Sequence, residues 1–272
     1  DERVVAEHAR LSGKGRTAYD WQHYVPLVQR KPGALRNGAP FVDLPEPLAD
    51  YVSLVRQFNP QGALEQYPGS PAIAQMLLRP TDQMRLFELH PTEHRILDAY
   101  LGKQRGVEVR HADGFDGLKG TLPPTTRRGV VLMDPSYEGN GDYGKVIASL
   151  RDALQRFAEG VYVIWYPQVQ KVEAAELPRR LEALAPKGWL HARLTVAKPD
   201  SLGFGLAGSG MFVINPPYTL HDTLAGVLPW LVEVLGCSWN LRSRAIQSVQ
   251  SCGPVSKRFL RLASTLPQAR SK

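Results

Sequence analysis

The chain has 272 residues, 43% of them hydrophobic and 22% charged, a composition typical of a globular protein with one large domain or two small ones. No apolar run reaches the roughly 20 residues that span a bilayer, and the charged residues at positions 1–3 argue against a secretory signal. Both cysteines lie beyond residue 236, which argues against a disulfide framework or a Cys-based metal site. We therefore expect a cytoplasmic protein that does not contact a membrane.

The formal net charge of +7 is concentrated at the carboxyl-terminal end. Residues 237–272 hold seven basic side chains and no Asp or Glu, so the basic and acidic residues of the remaining chain balance. Such a segment can bind RNA phosphates by releasing counterions. Its Ser- and Gln-rich composition is also typical of a disordered end. Both interpretations stay open, and we predict a basic, disordered tail over residues 237–272.

The predicted elements begin after a loop-rich arm at residues 1–42. From about residue 47, short apolar β-rich runs alternate with helical periods, a pattern that indicates βα units and a mainly parallel sheet. Strands are predicted over residues 84–89, 107–110, 129–134, 161–166, 191–197 and 210–215. Helices are predicted over residues 48–58, 72–78, 92–103, 143–158 and 221–235, the last with a kink at Pro229. The sequence thus predicts an α/β fold.

Three acidic residues stand at the ends of three successive predicted strands, namely Glu88, Asp113 and Asp134. Open α/β sheets bind ligands at the carboxyl ends of their strands. A carboxylate at Glu88 could bind two ribose hydroxyls, and Asp113 with Gly114 could hold an adenine ring. Each acid alone also fits an ordinary helix N-cap. Together they predict a site for a nucleoside cofactor.

The tetrapeptide from Asp134 to Tyr137 could act on an amino group. The N6 of adenine is a weak nucleophile, so it needs hydrogen-bond acceptors that orient it toward a methyl donor. Asp134 and the Pro135 carbonyl could accept its hydrogens, while Tyr137 could stack on a flipped base. The alternative is that the same four residues only form a turn.

Two other segments compete with this motif. Residues 215–218, Asn-Pro-Pro-Tyr, match the pattern of amino-methyltransferases more literally, but they follow the last predicted strand rather than an early one. Residues 203–208 spell G-x-G-x-x-G. That fingerprint must follow a strand and open a helix, whereas this copy precedes a strand. We therefore interpret it as a hairpin loop.

The remaining polar and aromatic candidates are weaker. His90, His94 and His111 lack a set of partners that would make a metal site, so we expect no metal. Trp165 and Tyr166 end a predicted strand on the side of the expected site. They could flank a target base or simply close the end of the core.

Seven short motifs in order closely resemble the large-subunit 23S rRNA adenine-N6 methyltransferase J family of bacteria. They are Tyr67-Pro-Gly-Ser-Pro71, Phe87-Glu-Leu-His-Pro91, Ala112-Asp-Gly-Phe115, Arg127-Arg-Gly129, Asp134-Pro-Ser-Tyr-Glu138, Trp165-Tyr-Pro167 and Ile214-Asn-Pro-Pro217. The resemblance implies a Rossmann-like S-adenosylmethionine-dependent methyltransferase domain over residues 67–236. Residues 43–66 would belong to a small helical insertion.

The resemblance also implies roles for individual residues. Contacts to S-adenosylmethionine are implied for Ser70, Glu88, Asp113, Gly114 and Asp134. It makes Asp134 the catalytic acceptor and Asn215 structural. Pro135 and Tyr137 are expected to bind the substrate, from the chemistry of the tetrapeptide given above. The implied substrate is an adenine of protein-free 23S rRNA, because the base must be unstacked to reach the pocket. We expect a monomer.

The chain departs from this family at both ends. Family members begin with a His-rich stretch and a first strand that leads into Asp-Thr-His-Ala-Gly-Ala-Gly, and nothing in this chain matches either. That strand is central in the sheet, so its loss would remove the hydrogen-bond partners of two neighbours and leave the methionine end of the cofactor unheld. The expected fold is therefore one that lacks the family's first strand and glycine turn.

Residues 20–24 and 29–40 instead resemble part of a bacterial insertion-sequence transposase. Our hypothesis is a mobile-element fusion that replaced both ends of a methyltransferase, and an uninterrupted upstream frame encoding the glycine turn would contradict it. Two functional alternatives remain. The chain could be an inactive remnant, or an amino-methyltransferase acting on DNA adenine or protein glutamine.

Overall fold

The computed structural model describes residues 44–62, 64–139, 141–185, 188–195, 205–235 and 238–243. Helices and strands alternate along this part of the chain. In order they are α1 Glu46–Phe58, α2 Ser70–Leu77, β1 Met84–Glu88, α3 Pro91–Leu101, β2 Val107–His111, α4 Gly114–Thr121, β3 Val130–Met133, α5 Asp142–Arg156, β4 Val161–Gln168, α6 Val172–Leu184, β5 Trp189–Thr195, β6 Gly208–Ile214, α7 Leu220–Leu235 and β7 Ser238–Ser243. None of the described helices has the length and apolar character needed to cross a membrane.

The strands form two sheets. β1 and β2 make a parallel pair, and the other sheet has the order β3-β4-β6-β5-β7. Within it β3 and β4 are parallel, whereas the β4–β6, β6–β5 and β5–β7 pairs are antiparallel. The predicted α/β class is confirmed. The prediction of a mainly parallel sheet is wrong, because the antiparallel pairs after β4 outnumber the parallel ones among the described strands.

β1 and β3 are not paired with each other. Within the described residues, each is the outer strand of its sheet, with one edge left without a strand partner. This is the arrangement expected if a central strand between them is missing. The two sheets are nevertheless neighbours, because α4 packs on both β1 and α5. At Gly117 of α4, an added Cβ would clash with the Phe87 ring of β1, so helix and strand lie in close contact.

The core of the five-stranded sheet has two sides. On one side α5 and α6 cover the sheet, and α5 places its buried residues at helical spacing. Fully buried members of this cluster include Val146, Leu150, Ile164, Leu177 and Phe212. On the other side α7 covers a smaller cluster. Burying one such side chain contributes roughly 1.5–3 kcal/mol, so β4 and its neighbours form a firmly packed platform.

Three elements were not predicted. α4 was not recognised because glycines interrupt its helical pattern, and α6 was not recognised because Pro178 lies inside it. β7 pairs with β5, so the prediction that the tail is disordered from residue 237 is wrong for residues 238–243. The predicted arm at residues 1–42 and the rest of the predicted tail, residues 244–272, lie outside the described residues.

Candidate active site

Asp134 follows the last residue of β3, at the carboxyl end of a strand that is paired in parallel with β4. Its side chain is exposed, yet partial burial by the surrounding protein raises the pKa of the carboxyl group above its usual value. In its ionised form, the Asp134 carboxylate can accept hydrogen bonds at this strand end. The half-buried Pro135 comes next and places its backbone carbonyl beside the acid.

The loop after Asp134 is fixed by Tyr137. This residue has a φ of 55°, and its side chain is only 3% exposed. Its hydroxyl donates to the Trp165 carbonyl oxygen at 2.7 Å, and its ring centre lies 4.6 Å from that of Tyr143. Burial raises the pKa of the Tyr137 hydroxyl, so it stays protonated as a donor. The sequence prediction that Tyr137 stacks on a flipped base does not match this arrangement, because the ring is enclosed by protein.

Lys171 also holds this loop. The residue stands at the N-cap of α6, and its Nζ donates to the Tyr137 carbonyl oxygen at 3.3 Å. Lys171 was not among the candidates from the sequence, because α6 itself was not predicted. Tyr137 thus connects the loop to β4 through its side chain and to α6 through its backbone. The position of the Asp134 carboxylate is therefore set by two elements of the packed platform.

Glu88 and Asp113 lie at the carboxyl edge of the two-stranded sheet. Glu88 pairs in register with His111, two residues before Asp113. One oxygen of Glu88 accepts from the His90 N–H, and one oxygen of Asp113 accepts from the Phe115 N–H, each at 2.8 Å. No hydrogen bond inside the described ranges uses the second oxygen of either carboxylate. Two oriented carboxylates thus keep an acceptor available at the same sheet edge.

Gly114 and Ser70 are both first residues of helices. Gly114 opens α4 and is exposed, and a Cβ there would lie 3.4 Å from the Cβ of Phe87. Ser70 opens α2 and is also exposed. In the described part of the chain, Ser70 has no hydrogen bond to Glu88, Asp113 or Asp134. Glu88 and Asp113 thus lie together at the two-stranded sheet, whereas Asp134 follows β3 of the other sheet. Between them lie the edges of β1 and β3 that have no strand partner among the described residues.

Asn215 lies at the opposite end of the platform. Its neighbour Ile214 pairs with Tyr162 near the start of β4, whereas Asp134 follows Met133, which pairs with Ile164 farther along that strand. Asn215 has a φ of 54°, and its amide donates to the Ala158 and Gly160 carbonyl oxygens at 2.8 Å each. These bonds tie the end of β6 to the turn before β4. Asn215 therefore has a structural role, as expected.

The glycine-rich segment and the histidines were the other candidates from the sequence. Thr195 of β5 pairs with Gly208 of β6, so the two strands are antiparallel neighbours; residues 203 and 204 of the glycine-rich segment lie outside the described residues. His94 and His111 stack with ring centres 5.0 Å apart, and the His111 Nε2 lies 3.0 Å from the Leu89 carbonyl oxygen. No group of potential ligands that could hold a metal ion occurs among the described residues.

Comparison with known proteins decides the family. Residues 29–245 match the family model described as "Ribosomal RNA large subunit methyltransferase D, RlmJ". The chain belongs to this family. The ribosomal RNA large subunit methyltransferase J of Escherichia coli K12 is 43% identical over 189 residues, which are 70% of this chain and 67% of the relative. That of Haemophilus influenzae is 42% identical over 194 residues, 71% and 69% of the two chains.

A solved structure of this fold is also similar. A protein of Legionella pneumophila aligns with a TM-score of 0.69 and 32% sequence identity, and the alignment covers 76% of this chain and 79% of the other. A smaller part of the chain resembles transposases. One from Aminobacter aminovorans is 57% identical over 49 residues, and one for insertion sequences in Pseudomonas aeruginosa is 50% identical over 58 residues. The predicted transposase resemblance is thereby confirmed.

Proposed function

We propose that this chain transfers a methyl group from S-adenosylmethionine to N6 of an adenine in 23S rRNA. The observation that carries the proposal is the acceptor at Asp134, held at the carboxyl end of β3 by a loop that Tyr137 anchors to β4. Membership of the RlmJ family supports the substrate class. As a protein that acts on protein-free rRNA, it would work as a monomer in the cytoplasm.

The two acceptors next to β3 would orient the amino group. The Asp134 carboxylate and the Pro135 carbonyl oxygen would each accept one hydrogen of N6, which reduces the delocalisation of the nitrogen lone pair into the ring and directs that lone pair toward the methyl group. S-adenosylmethionine, when bound, supplies an electrophilic methyl group on a sulfonium sulfur. The Asp134 carboxylate, already in contact with one N6 hydrogen, would accept the proton that the methylated nitrogen loses, or would pass it to water.

The described residues fit the nucleoside end of the cofactor. We propose that the second oxygens of Glu88 and Asp113 accept hydrogen bonds from the ribose hydroxyls and the adenine amino group, respectively. Gly114 would permit close approach of the adenine, and Ser70 would approach the cofactor from the start of α2. The described ranges contain no glycine turn that could hold the methionine end. Binding through the nucleoside end alone should therefore be weak.

An inactive remnant is the second candidate. The observation that favours it is that, among the described strands, β1 and β3 each have one edge without a partner, and these edges separate Glu88 and Asp113 from Asp134. By contrast, the structural position of Asn215 removes the reason to prefer a methyltransferase for DNA adenine or protein glutamine. Two candidates thus remain: an active rRNA methyltransferase, and an inactive chain that descends from such an enzyme.

The test is transfer of radiolabelled methyl groups to protein-free 23S rRNA, with 23S rRNA in assembled subunits and double-stranded DNA as alternative substrates. We expect labelling of the free rRNA alone, at N6 of adenine. Asp134→Asn replaces one acceptor with a donor and should reduce the rate by about 100-fold or more. Asp222→Asn, on the exposed side of α7, is the matched control and should leave the rate unchanged. A folded wild-type chain without transfer would support the remnant instead.

A further inference from the structure

A single peptide unit connects a histidine to the carboxylate of Glu88. The His111 Nε2 lies 3.0 Å from the Leu89 carbonyl oxygen, and the next N–H, that of His90, donates to a Glu88 carboxylate oxygen at 2.8 Å. The C=O and the N–H of one peptide plane point in opposite directions. The Leu89–His90 peptide is therefore bonded on both sides, to His111 through its C=O and to Glu88 through its N–H.

The carbonyl oxygen determines which nitrogen of the His111 ring carries a hydrogen. A carbonyl oxygen can only accept a hydrogen bond, so the Nε2 of His111 must be protonated and must donate. Donation to the C=O polarises the peptide and strengthens the hydrogen bond that its N–H makes. The His111 ring therefore supports the bond between the His90 N–H and the Glu88 carboxylate.

The His111 ring is itself held in place by α3. Glu88 and His111 are register partners in β1 and β2, so their side chains lie on the same face of the two-stranded sheet. α3 packs on both strands, and its His94 ring stacks on the His111 ring with the ring centres 5.0 Å apart. This stack restricts rotation of the His111 ring. The Nε2 therefore stays directed at the Leu89 carbonyl oxygen.

The turn from β1 to α3 is also held by the helix. His90 is the N-cap residue of α3, and its carbonyl oxygen accepts from the His94 N–H at 2.8 Å. Rotation of the Leu89–His90 peptide would disturb this first helical bond as well as the bond to Glu88. The contact from His111 is the one that comes from β2. It ties the turn that carries Glu88 to the strand end that precedes Asp113.

We propose that His111 is a positioning residue for the Glu88 carboxylate and acts through the Leu89–His90 peptide. Because the His90 N–H fixes one oxygen of Glu88, the second oxygen keeps a narrow range of directions. In the proposed function this second oxygen accepts from the ribose hydroxyls, so the His111 ring sets the affinity for ribose without contacting the cofactor. That consequence rests on the proposed function, whereas the effect on Glu88 does not.

Amide hydrogen exchange on the full chain without ligand tests the effect on Glu88. His111→Phe keeps a ring beside His94 but has no donor, so the His90 amide should exchange about fivefold faster. His111→Gln keeps an N–H donor, and its His90 amide should exchange within about twofold of the wild-type rate. His221→Phe, which changes a histidine of α7, is the matched control and should leave the exchange of His90 unchanged.

The amide of Leu86 separates positioning from a general loosening of the sheet. The Met84 N–H donates to the Gly106 carbonyl oxygen at 2.8 Å, and backbone direction alternates along a strand, so the Leu86 N–H also faces β2. Its exchange should be the same in His111→Phe and the wild type. Equal acceleration of the two amides would overturn the proposal, because His111 would then only stabilise the sheet. An unchanged rate at His90 would overturn it too.

Nucleoside binding tests the consequence for the cofactor. In NMR titrations, His111→Phe should bind adenosine about fivefold more weakly than the wild type does. Dideoxyadenosine lacks both ribose hydroxyls, so the same change should leave its affinity unaltered. An equal loss for the two nucleosides would overturn the role in ribose binding. If the wild type binds neither nucleoside, the proposed cofactor site is wrong, and the exchange of the His90 amide still decides whether His111 positions Glu88.

Discussion

The Tyr137 hydroxyl donates to the Trp165 carbonyl oxygen at 2.7 Å, and this bond joins the loop after β3 to the middle of β4. Tyr137 is buried, so the bond has little competition from water. Together with the bond from Lys171 Nζ to the Tyr137 carbonyl oxygen, it fixes the backbone just after Asp134. The aromatic residue of the motif therefore acts on the site by positioning the acid.

Tyr137→Phe should destabilise the protein and loosen this loop. The change leaves the Trp165 carbonyl oxygen without its donor, which costs about 1–3 kcal/mol in the free energy of unfolding. Urea denaturation measures this loss. Tyr218→Phe is the control, because Tyr218 is 62% exposed, and it should leave the midpoint unchanged. Equal midpoints for the two variants would show that the Tyr137 hydroxyl contributes nothing.

Asn215 should matter for stability and not for methyl transfer. Asn215→Ala removes two hydrogen bonds. Alanine has no polar side chain to compensate for the left-handed φ of 54°, a conformation that destabilises the folded state by roughly 1–2 kcal/mol. Asn215→Gly also removes the bonds but accepts this φ, so it should be the more stable of the two. Transfer per folded molecule should match the wild type in both variants. A specific loss of activity would return Asn215 to the list of catalytic candidates.

The ionisation of the Asp134 carboxyl group should set the pH dependence of methyl transfer. Its raised pKa, caused by partial burial, means that the carboxylate is lost on acidification at a higher pH than for an ordinary Asp. The single-turnover rate should fall as the pH drops through this pKa, and Asp134→Asn should remove the dependence. Because the pKa is raised on folding, the ionised group opposes folding above that pKa. Asp134→Asn should therefore be at least as stable as the wild type at pH 7, with any gain disappearing in acid.

Two glycines of α4 should respond oppositely to alanine. Gly117→Ala would push a Cβ into the Phe87 ring and should cost about 1–3 kcal/mol, because β1 and α4 must separate. Gly120→Ala meets no atom within 4 Å, and should stabilise the protein by up to about 1 kcal/mol through better helix propensity. Thermal unfolding of the two variants measures the difference. Equal shifts would mean that α4 does not pack closely on β1.

The ends of the strands are easier to predict from the sequence than the burial and contacts of individual side chains. Apolar runs and their following acids placed Glu88, Asp113 and Asp134 at strand ends, because this pattern is local. The burial of Tyr137 depends on contacts with Trp165 and Tyr143, which are distant in sequence. α4 contains three glycines, which lower its intrinsic helix propensity. The helix depends on tertiary packing and is therefore not apparent from the sequence. β7 pairs with the remote β5, and no local pattern predicts that partner.

The connection of the two sheets through α4 has a consequence for cooperativity. No strand pairing within the described residues links β1 and β2 to the larger sheet, so their opening breaks mainly the contacts that α4 makes. We expect two cooperative units, with faster native-state amide exchange in β1 and β2 than in β4 and β6. Glu88 and Asp113 would then belong to the unit that opens first. Ligand affinity at these carboxylates would be reduced by the free energy of keeping that unit closed.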